Sequence, residues 1–301
     1  MRLIIALPVL NEELLLRRSV ERVLESVRLT LPGVECLVVI ADNGSTDRTK
    51  EIGLLLAQEN QSVRYLRLTE RGKGRAVLAA WQSAPADVFT FMDIDLSTDL
   101  KALPSLYEAV ITGGGVASGS RFHPQSKVMR SRFRRWYSFG YRTLLHLLFK
   151  TSVSDAPCGF KAISRAVFEQ IVPQVEDRRW FFDTELILRA ERAGFVLQEI
   201  PVIWQEQTIA GRKSRVLAPR LAVEYLFRLI SLKNDCNDLD RANKIHFSAR
   251  VANRGRGCCR GRCDFITAGF VRFVAWGDAW LGMARLVTAF ARRPGFLLVR
   301  Y

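Results

Sequence analysis

The sequence predicts an α/β fold built on a mostly parallel central sheet with helices on both faces. Three observations lead there. Through the first 120 residues, short apolar runs alternate with segments of helical periodicity. The runs are continuous, as strands buried on both faces require. Polar and acidic clusters recur where each run ends, which is where ligands sit in sheets of this kind.

The elements follow in order. Residues 3–7 and 37–41 form the first two strands, and 12–29 between them carries apolar residues at helical spacing. A second helix over 46–58 takes Ser45 or Thr46 as its N-cap. Residues 63–68 read as strand, 73–83 as helix, 88–92 as strand and 99–111 as helix. A further strand, 116–118, follows a glycine triplet. This βαβα order argues for βαβ units. The clusters at the strand ends are Asn11-Glu12, Asp42-Asn43-Gly44-Ser45, Asp93-Ile94-Asp95 and Ser120-Arg121.

The chain has 301 residues, enough for two domains or for one large domain with an extension. Apolar residues at 49% and charged residues at 25% exclude a wholly disordered, collagen-like or fibrous chain. Lys plus Arg number 45 against 30 Asp plus Glu, a net charge of +15. Such a surplus calls for an anionic partner: nucleic acid, an anionic membrane face or a phosphorylated substrate. Six cysteines are too few and too clustered for a disulfide scaffold. Cys36 lies in an apolar run and reads as a buried thiol. Cys258, Cys259 and Cys263 lack the paired spacing or histidines of a zinc site. His123, His146 and His246 show no metal or triad spacing. The opening residues meet Pro8, Glu12 and Glu13 too soon for a secretory leader. No stretch is a confident transmembrane helix, because Arg272, Asp278 and Arg285 interrupt the nearest case, 265–290.

Composition shifts along the chain. Residues 126–150 hold seven cations and no acid, interleaved with aromatic and leucine residues. Such a segment suits an anionic interface or, alternatively, a core helix with a solvated arginine face. A second acid-free stretch holds Arg212, Lys213, Arg215 and Arg220. Residues 235–301 carry twelve Lys and Arg against five Asp and Glu. The expected division is a domain over 1–234 and a basic extension over 235–301, membrane-interfacial or disordered.

Asp93-Ile94-Asp95 directly follows an apolar strand. Two carboxylates at a strand-end turn can converge on Mg²⁺ or Mn²⁺, which favours one or two carboxylates plus phosphate oxygens and waters. The plainer alternative is a pair of capping aspartates. In Asp42-Asn43-Gly44-Ser45-Thr46-Asp47, a tight turn and a helix cap account for Gly44, Ser45 and Asp47. Asp42 is left over and suits a base or ribose. Arg71-Gly72-Lys73-Gly74 is basic at a helix start, suited to phosphate, though without the spacing of a P-loop.

Taken together, these motifs resemble family 2 glycosyltransferases. The motifs that carry the resemblance are Pro8-Val9-Leu10-Asn11-Glu12-Glu13, Asp42-Asn43-Gly44-Ser45-Thr46-Asp47, Arg71-Gly72-Lys73-Gly74, Asp93-Ile94-Asp95-Leu96-Ser97 and Gly119-Ser120-Arg121-Phe122. Two later motifs, Asp155-Ala156-Pro157-Cys158-Gly159-Phe160-Lys161 and Trp180-Phe181-Phe182-Asp183-Thr184-Glu185-Leu186, narrow it to the branch of polyprenyl-phosphate sugar synthases. Within that branch the sequence is most similar to the dolichyl-phosphate β-glucosyltransferases. The resemblance covers roughly residues 1–234.

It implies a GT-A fold, a nucleotide-sugar donor, a polyprenyl phosphate acceptor and a divalent metal, Mg²⁺ or Mn²⁺. By position, Pro8, Leu10, Glu12 and Asp42 would line the nucleoside pocket, with Lys73 and Asp93 on the donor phosphates. Asp93 and Asp95 would hold the metal. Asp183 would stand beside the acceptor as a positioning group or weak base. Three positions depart from the pattern. Leu10 replaces a frequent aromatic, Asn43 replaces an aspartate, and Ser97, where mannosyl relatives can carry glutamine, leans toward glucose.

An acceptor phosphate monoester is largely a dianion at neutral pH, with a second pKa of about 6, and needs no strong base. Cations must offset the repulsion between acceptor and donor; Arg121, Arg134, Lys161 and Lys213 are the candidates. Arg121 and Arg134, with Asp183, form the expected catalytic set. The expectation is inverting transfer of a hexose, glucose from UDP-glucose, at the cytoplasmic face of a membrane by a peripheral enzyme. Mannosyl or N-acetylhexosaminyl transfer to the same lipid stays open, as does a non-catalytic nucleotide-sugar holder. A nucleic-acid partner is not expected, because aromatics show no RNP pattern and acidic strand ends repel phosphate.

Overall fold

The first strand is laid down in the interior of the sheet. In the computed structural model, β1 (Arg2–Val9), β2 (Glu35–Asp42), β3 (Val63–Arg67) and β4 (Val88–Met92) are parallel neighbours in the order β3-β2-β1-β4. Leu3, Ile5, Leu7 and Val9 face one core cluster, and Ile4 and Ala6 face the other. Both faces of β1 are therefore covered, which explains its unbroken apolar run.

The structure describes residues 1–129, 132–205 and 225–234, without the side chains of 132–137. The chain divides into two units, Met1–Lys244 and Ile245–Tyr301, and every described residue falls in the first. The expected extension over 235–301 and the basic stretch around Lys213 lie outside the described residues.

Beyond β4 the sheet departs from a purely parallel pattern. β5 (Val116–Ser120) does not pair with β4. Instead β7 (Phe160–Ser164) enters between them, antiparallel to both, and β8 (Leu197–Pro201) closes the order β3-β2-β1-β4-β7-β5-β8. A two-stranded sheet joins β6 (Lys127–Met129) to β9 (Ile203–Gln205). On one face lie α1 (Leu16–Thr30), α2 (Thr49–Glu59) and α4 (Leu103–Gly113), the last preceded by a 3₁₀ turn at Leu100–Ala102. On the other lie α3 (Lys73–Trp81), α5 (Arg132–Phe149), α6 (Arg165–Gln170), α7 (Phe182–Arg192) and a helix over 225–234, here α8.

Two helix starts differ from expectation. Residues 12–15 form a turn instead of helix, with the Leu15 and Leu16 amides both donating to Glu12 O. Ser45 and Thr46 do not cap α2, because their polar groups serve the loop after β1. Ser45 Oγ accepts from the Asn11 amide at 2.9 Å, and the Thr46 amide donates to Asn11 Oδ1 at 2.7 Å. The aspartate at the helix start is Asp47, whose Oδ1 accepts from the Thr49 amide at 3.0 Å. Asn11 itself sits at φ 50°, a left-handed conformation that asparagine tolerates.

The densest part of the core lies under the site. Trp81 is fully buried, donates Nε1–H to Thr90 O at 3.0 Å, and has Phe89, Phe91 and Phe182 around it with ring centroids 6.0 to 6.2 Å away. Trp81→Ala removes that ring and its hydrogen bond together. We expect it to lower unfolding free energy by about 3–5 kcal/mol, measured by urea denaturation against wild type.

Candidate active site

The polar clusters meet at the carboxyl ends of the parallel strands. A cleft there is lined by Asp93, Asp95, Ser97, Arg121, Gly159 and Trp204, among others. Asp93 is the first residue after β4, and its amide donates to Gly159 O at 3.0 Å. Gly159 must lack a side chain, since a Cβ there would stand 1.9 Å from Asp93 Oδ2. The turn then tightens. The Leu96 amide donates to Asp93 O at 3.1 Å and the Ser97 amide to Asp95 Oδ1 at 3.1 Å. Leu96 is held at φ 48°, an unfavourable conformation for a residue with a branched side chain, found where the surroundings impose it. The far side of the turn is tied to β9, with the Gln205 amide donating to Ser97 O and the Asp99 amide to Ile203 O, both at 2.9 Å.

No group of three or more His, Cys, Asp or Glu converges on a metal-sized position among the described residues. Two carboxylates on one fixed turn are nevertheless the donor set a hard cation needs when phosphate oxygens and waters complete its shell. Asp93 and Asp95 fit Mg²⁺ or Mn²⁺ on that chemistry. The Asp93 side chain is half exposed, at 49%.

Lys73 spans the site. Its Nζ lies 3.0 Å from Asp93 Oδ1 and 3.3 Å from Asp183 Oδ2, with its side chain buried. Burial alone would pull the ammonium down, but the carboxylates of Asp183 and Asp93 outweigh it and leave it raised. Asp183 lies in the first turn of α7 and is buried, and its Oδ1 has no hydrogen-bond partner among the described residues. A buried carboxylate oxygen without a partner is costly, and a hydrogen-bond donor brought to it would relieve that cost.

Lys161 stands behind the cleft. It was expected to touch the acceptor phosphate, yet it is wholly buried in β7. Its ammonium donates to Cys158 O and lies 3.9 Å from Asp183 Oδ2. Burial lowers it, with Asp183 opposing. Its influence on any acceptor therefore passes through Asp183.

Arg121 is fixed by a partner that sequence reasoning left without a role. Nε and a terminal nitrogen of Arg121 donate to the two oxygens of Asp155, both at 2.7 Å, and the Arg121 amide adds a third bond at 2.8 Å. Trp204 lies against the guanidinium, 5.8 Å from centroid to Cζ. The Asp155 loop is held in turn by Glu199, which accepts from the amides of Ser154 and Asp155. Burial would raise the Asp155 carboxyl, but the Arg121 charge and hydrogen bonds hold it below the usual carboxylate range.

On the nucleoside side, Pro8 and Leu10 are partly exposed at the end of β1, and Glu12 is nearly buried. Asp42 is fully buried. Its Oδ1 accepts from the Ser45 amide at 2.8 Å, and its Oδ2 from Tyr65 Oη at 2.5 Å and Arg67 at 3.3 Å. Burial and Asp42 push the Tyr65 hydroxyl up to about 12. With both oxygens engaged, a base or ribose contact by Asp42 requires one of these partners to yield. The helix start at Arg71–Gly74 has part of its backbone engaged. The Gly74 and Arg75 amides already donate to Arg179 O and Arg178 O, both at 3.0 Å, and the Gly72 amide to Asn43 Oδ1 at 2.9 Å. Three amides of this helix start are thus taken within the chain, and the cation offered is the Lys73 side chain. Gly72 and Gly74 allow this close approach. A Cβ would stand 2.1 Å from Arg178 O at the first and 2.6 Å from Phe182 Cβ at the second.

Arg134 lies in the first turn of α5, and its side chain is outside the described residues, as is Lys213. The structure thus brings Lys73, Asp93, Lys161 and Asp183 together. It adds Asp155, Gly159 and Trp204, of which the first two stood inside a quoted motif.

The model of the family described as Glycosyl transferase family 2 matches residues 4–172. Glycosyltransferase AglD of Haloferax volcanii is 37% identical over 203 residues, covering 67% of this chain and 32% of the relative. The dolichyl-phosphate beta-glucosyltransferase of Saccharomyces cerevisiae is 30% identical over 189 residues, 56% of this chain and 57% of the relative. That of Drosophila melanogaster is 30% identical over 220 residues, 68% of each. The chain thus spans about a third of the archaeal relative and a little over half of the yeast one. Glucosyl-3-phosphoglycerate synthase from Mycobacterium tuberculosis, solved with uridine diphosphate, superposes with a TM-score of 0.58 at 20% identity over 78% of this chain and 80% of that one. The same synthase solved with Mn²⁺, uridine diphosphate and phosphoglyceric acid gives 0.56 at 18% identity, over 77% and 78%. These superpositions place the fold as GT-A-like.

Removing Asp155 would leave Arg121 charged and buried. Asp155→Asn is expected to cost about 3–5 kcal/mol at pH 7 in chemical denaturation. Because the folded carboxyl is held low, that advantage of wild type is full above the unfolded value of 3.8 and shrinks as pH falls below it. Denaturation at pH 7 and pH 3 checks both the size and the sign.

Proposed function

The chain belongs to glycosyl transferase family 2, and from that premise we propose that it transfers glucose from UDP-glucose to a polyprenyl or dolichyl phosphate. One observation carries the reading. A single ammonium, Lys73, stands between the Asp93–Asp95 turn and Asp183. A donor diphosphate at the turn and an acceptor phosphate at Asp183 would therefore meet across one side chain. The names of the relatives supply the substrate classes.

Asp93 and Asp95 would hold Mg²⁺ or Mn²⁺, which supplies charge neutralisation for the departing diphosphate. Lys73 adds a second positive group beside the donor phosphates. Pro8, Leu10 and Glu12 would line the nucleoside pocket, with Asp42 bracing Tyr65 and Arg67 behind it. Arg121, fixed by Asp155, offers its guanidinium to the acceptor phosphate, a planar donor suited to that anion. Arg134 and Lys213 would add cations on the same side. Asp183, with Lys161 behind it, is the positioning group or weak base on the acceptor side; its open Oδ1 can accept only from a protonated acceptor oxygen, so it serves the fraction that arrives as the monoanion. A phosphate oxygen of the acceptor bonds to the anomeric carbon as the bond from that carbon to the diphosphate breaks on the opposite face. The products are UDP and an inverted glucosyl phosphate lipid. No strong base is needed, since the acceptor is already an anion.

No helix among the described residues is long and apolar enough to cross a membrane. The lipid acceptor and the acid-free stretch 126–150 support peripheral docking on an anionic membrane, at the cytoplasmic face where a nucleotide-sugar donor would be met.

The test is transfer of label from a panel of UDP- and GDP-sugars to a polyprenyl phosphate, with Mg²⁺ or with EDTA. Metal-dependent label from UDP-glucose is expected in the lipid phase. Label from GDP-mannose instead overturns the sugar assignment, and no lipid label from any donor overturns the acceptor. Asp95→Ala is expected to lower transfer by about a hundredfold or more. Gly159→Ala, which puts a methyl group into the space of the Asp93 carboxylate, is expected to weaken UDP affinity in Mn²⁺ about tenfold with the fold retained, read by calorimetry and circular dichroism.

A further inference from the structure

We propose that Tyr225 is a positioning residue that aims Asp183 at the acceptor. The proposal rests on the reading of Asp183 as the acceptor-side carboxylate. Tyr225 lies in α8, well beyond the residues 4–172 that the family model matches.

The segment before Asp183 is tethered carbonyl by carbonyl. Arg178 O and Arg179 O accept from the first amides of α3, the helix that carries Lys73. Trp180 O accepts from Tyr225 Oη at 2.7 Å. Phe181 O accepts from the Thr184 and Glu185 amides at 3.0 Å and starts α7. The Trp180 tether comes from a different element than its neighbours, and it is the last one before the carbonyl that starts α7. α7 has no side-chain N-cap of its own, so the direction in which its first turn presents Asp183 is set from outside the helix.

Tyr225 supplies more than a hydroxyl. Its ring stands edge-on to Phe181, with centroids 5.5 Å apart and planes at 73°. It also lies 5.5 Å from Tyr141 of α5, whose hydroxyl shares a hydrogen bond with Thr184 Oγ1 at 2.9 Å. Arg228, one turn on in α8, lies 3.4 Å from Asp177 Oδ2. Two tyrosines from two helices thus grip the residues on both sides of Phe182 and Asp183. A carboxylate with one unpartnered oxygen works only if that oxygen points at the acceptor, and a displacement of an ångström is enough to slow such a step.

Tyr225→Phe in the full chain separates the hydroxyl from the ring. The expected result is a kcat for lipid glucosylation lowered about fivefold, the factor for one hydrogen bond of about 1 kcal/mol. The KM for UDP-glucose should stay within about twofold of wild type. Hydrogen–deuterium exchange should quicken in the peptides holding the Thr184 and Glu185 amides and not in β1 or β4. Tyr141→Phe is a second, independent release of the same turn and should shift exchange at the same amides. Unchanged exchange there with Tyr225→Phe overturns the proposal, and so does a wild-type kcat. A parallel loss of UDP-glucose binding, with Tm lowered by more than about 5 °C, also overturns it, since that is general packing. If the wild-type protein transfers no sugar, the functional reading fails on its own account, and exchange at Thr184 and Glu185 alone decides whether Tyr225 sets this turn.

Discussion

One buried ammonium organises this molecule. Lys73 Nζ lies within 3.3 Å of carboxylates that come from β4's end and from α7, elements separated by about ninety residues of sequence. Without it, Asp93 and Asp183 would face each other across a largely buried gap with like charges, a costly arrangement. The neighbouring sequence serves that placement. Gly72 and Gly74 let the start of α3 press against the strap before α7, and Asn43 holds the Gly72 amide. Lys161 approaches the same oxygen of Asp183, at 3.9 Å. The centre of the site thus alternates in charge, with Lys73 held between two acids and Asp183 beside two cations.

That alternation explains why the strand ends tolerate so many acids in a chain of net charge +15. Asp42, Asp155 and Asp183 are all buried, and each has a basic group within reach: Arg67, Arg121, and the pair Lys73 and Lys161. The two acids whose turn is left open to the cleft, Asp93 and Asp95, are the two suited to a cation from solution.

Local features were legible in the sequence because local forces decide them. The run 88–92 became β4 with those bounds, and the acidic turn that follows needed only a strand end and two aspartates to be singled out. The clusters at 42–45 and 120–121 also fell at strand ends, as the alternation of elements implied. What escaped was tertiary. Lys161 reads as a surface cation until β7 is known to sit between β4 and β5, which buries it completely. Ser45 and Thr46 look like helix caps until Asn11 arrives from another loop to take their polar groups. The glycines at 72 and 74 look like flexibility around a phosphate, whereas they serve close contact with a strap more than a hundred residues away. Tyr225 carried no local signal at all, since its role depends on one carbonyl of a distant turn.

The entry of β7 between β4 and β5 has a consequence for how the molecule is made. In sequence order, β5 emerges before either of the strands it pairs with, β7 and β8. β4 meanwhile holds β1 on one side and an open edge on the other until residues 160–164 arrive. Synthesis from the N-terminus thus produces a half-sheet with its edge exposed, a state that other chains can join. The Asp93 amide, too, waits for Gly159. The carboxylates closest to the beginning of the chain's chemistry are therefore among the last parts of its first half to be locked in place. A ribosome-bound chain short of residue 160 would hold the strands that carry the cleft without its finished floor.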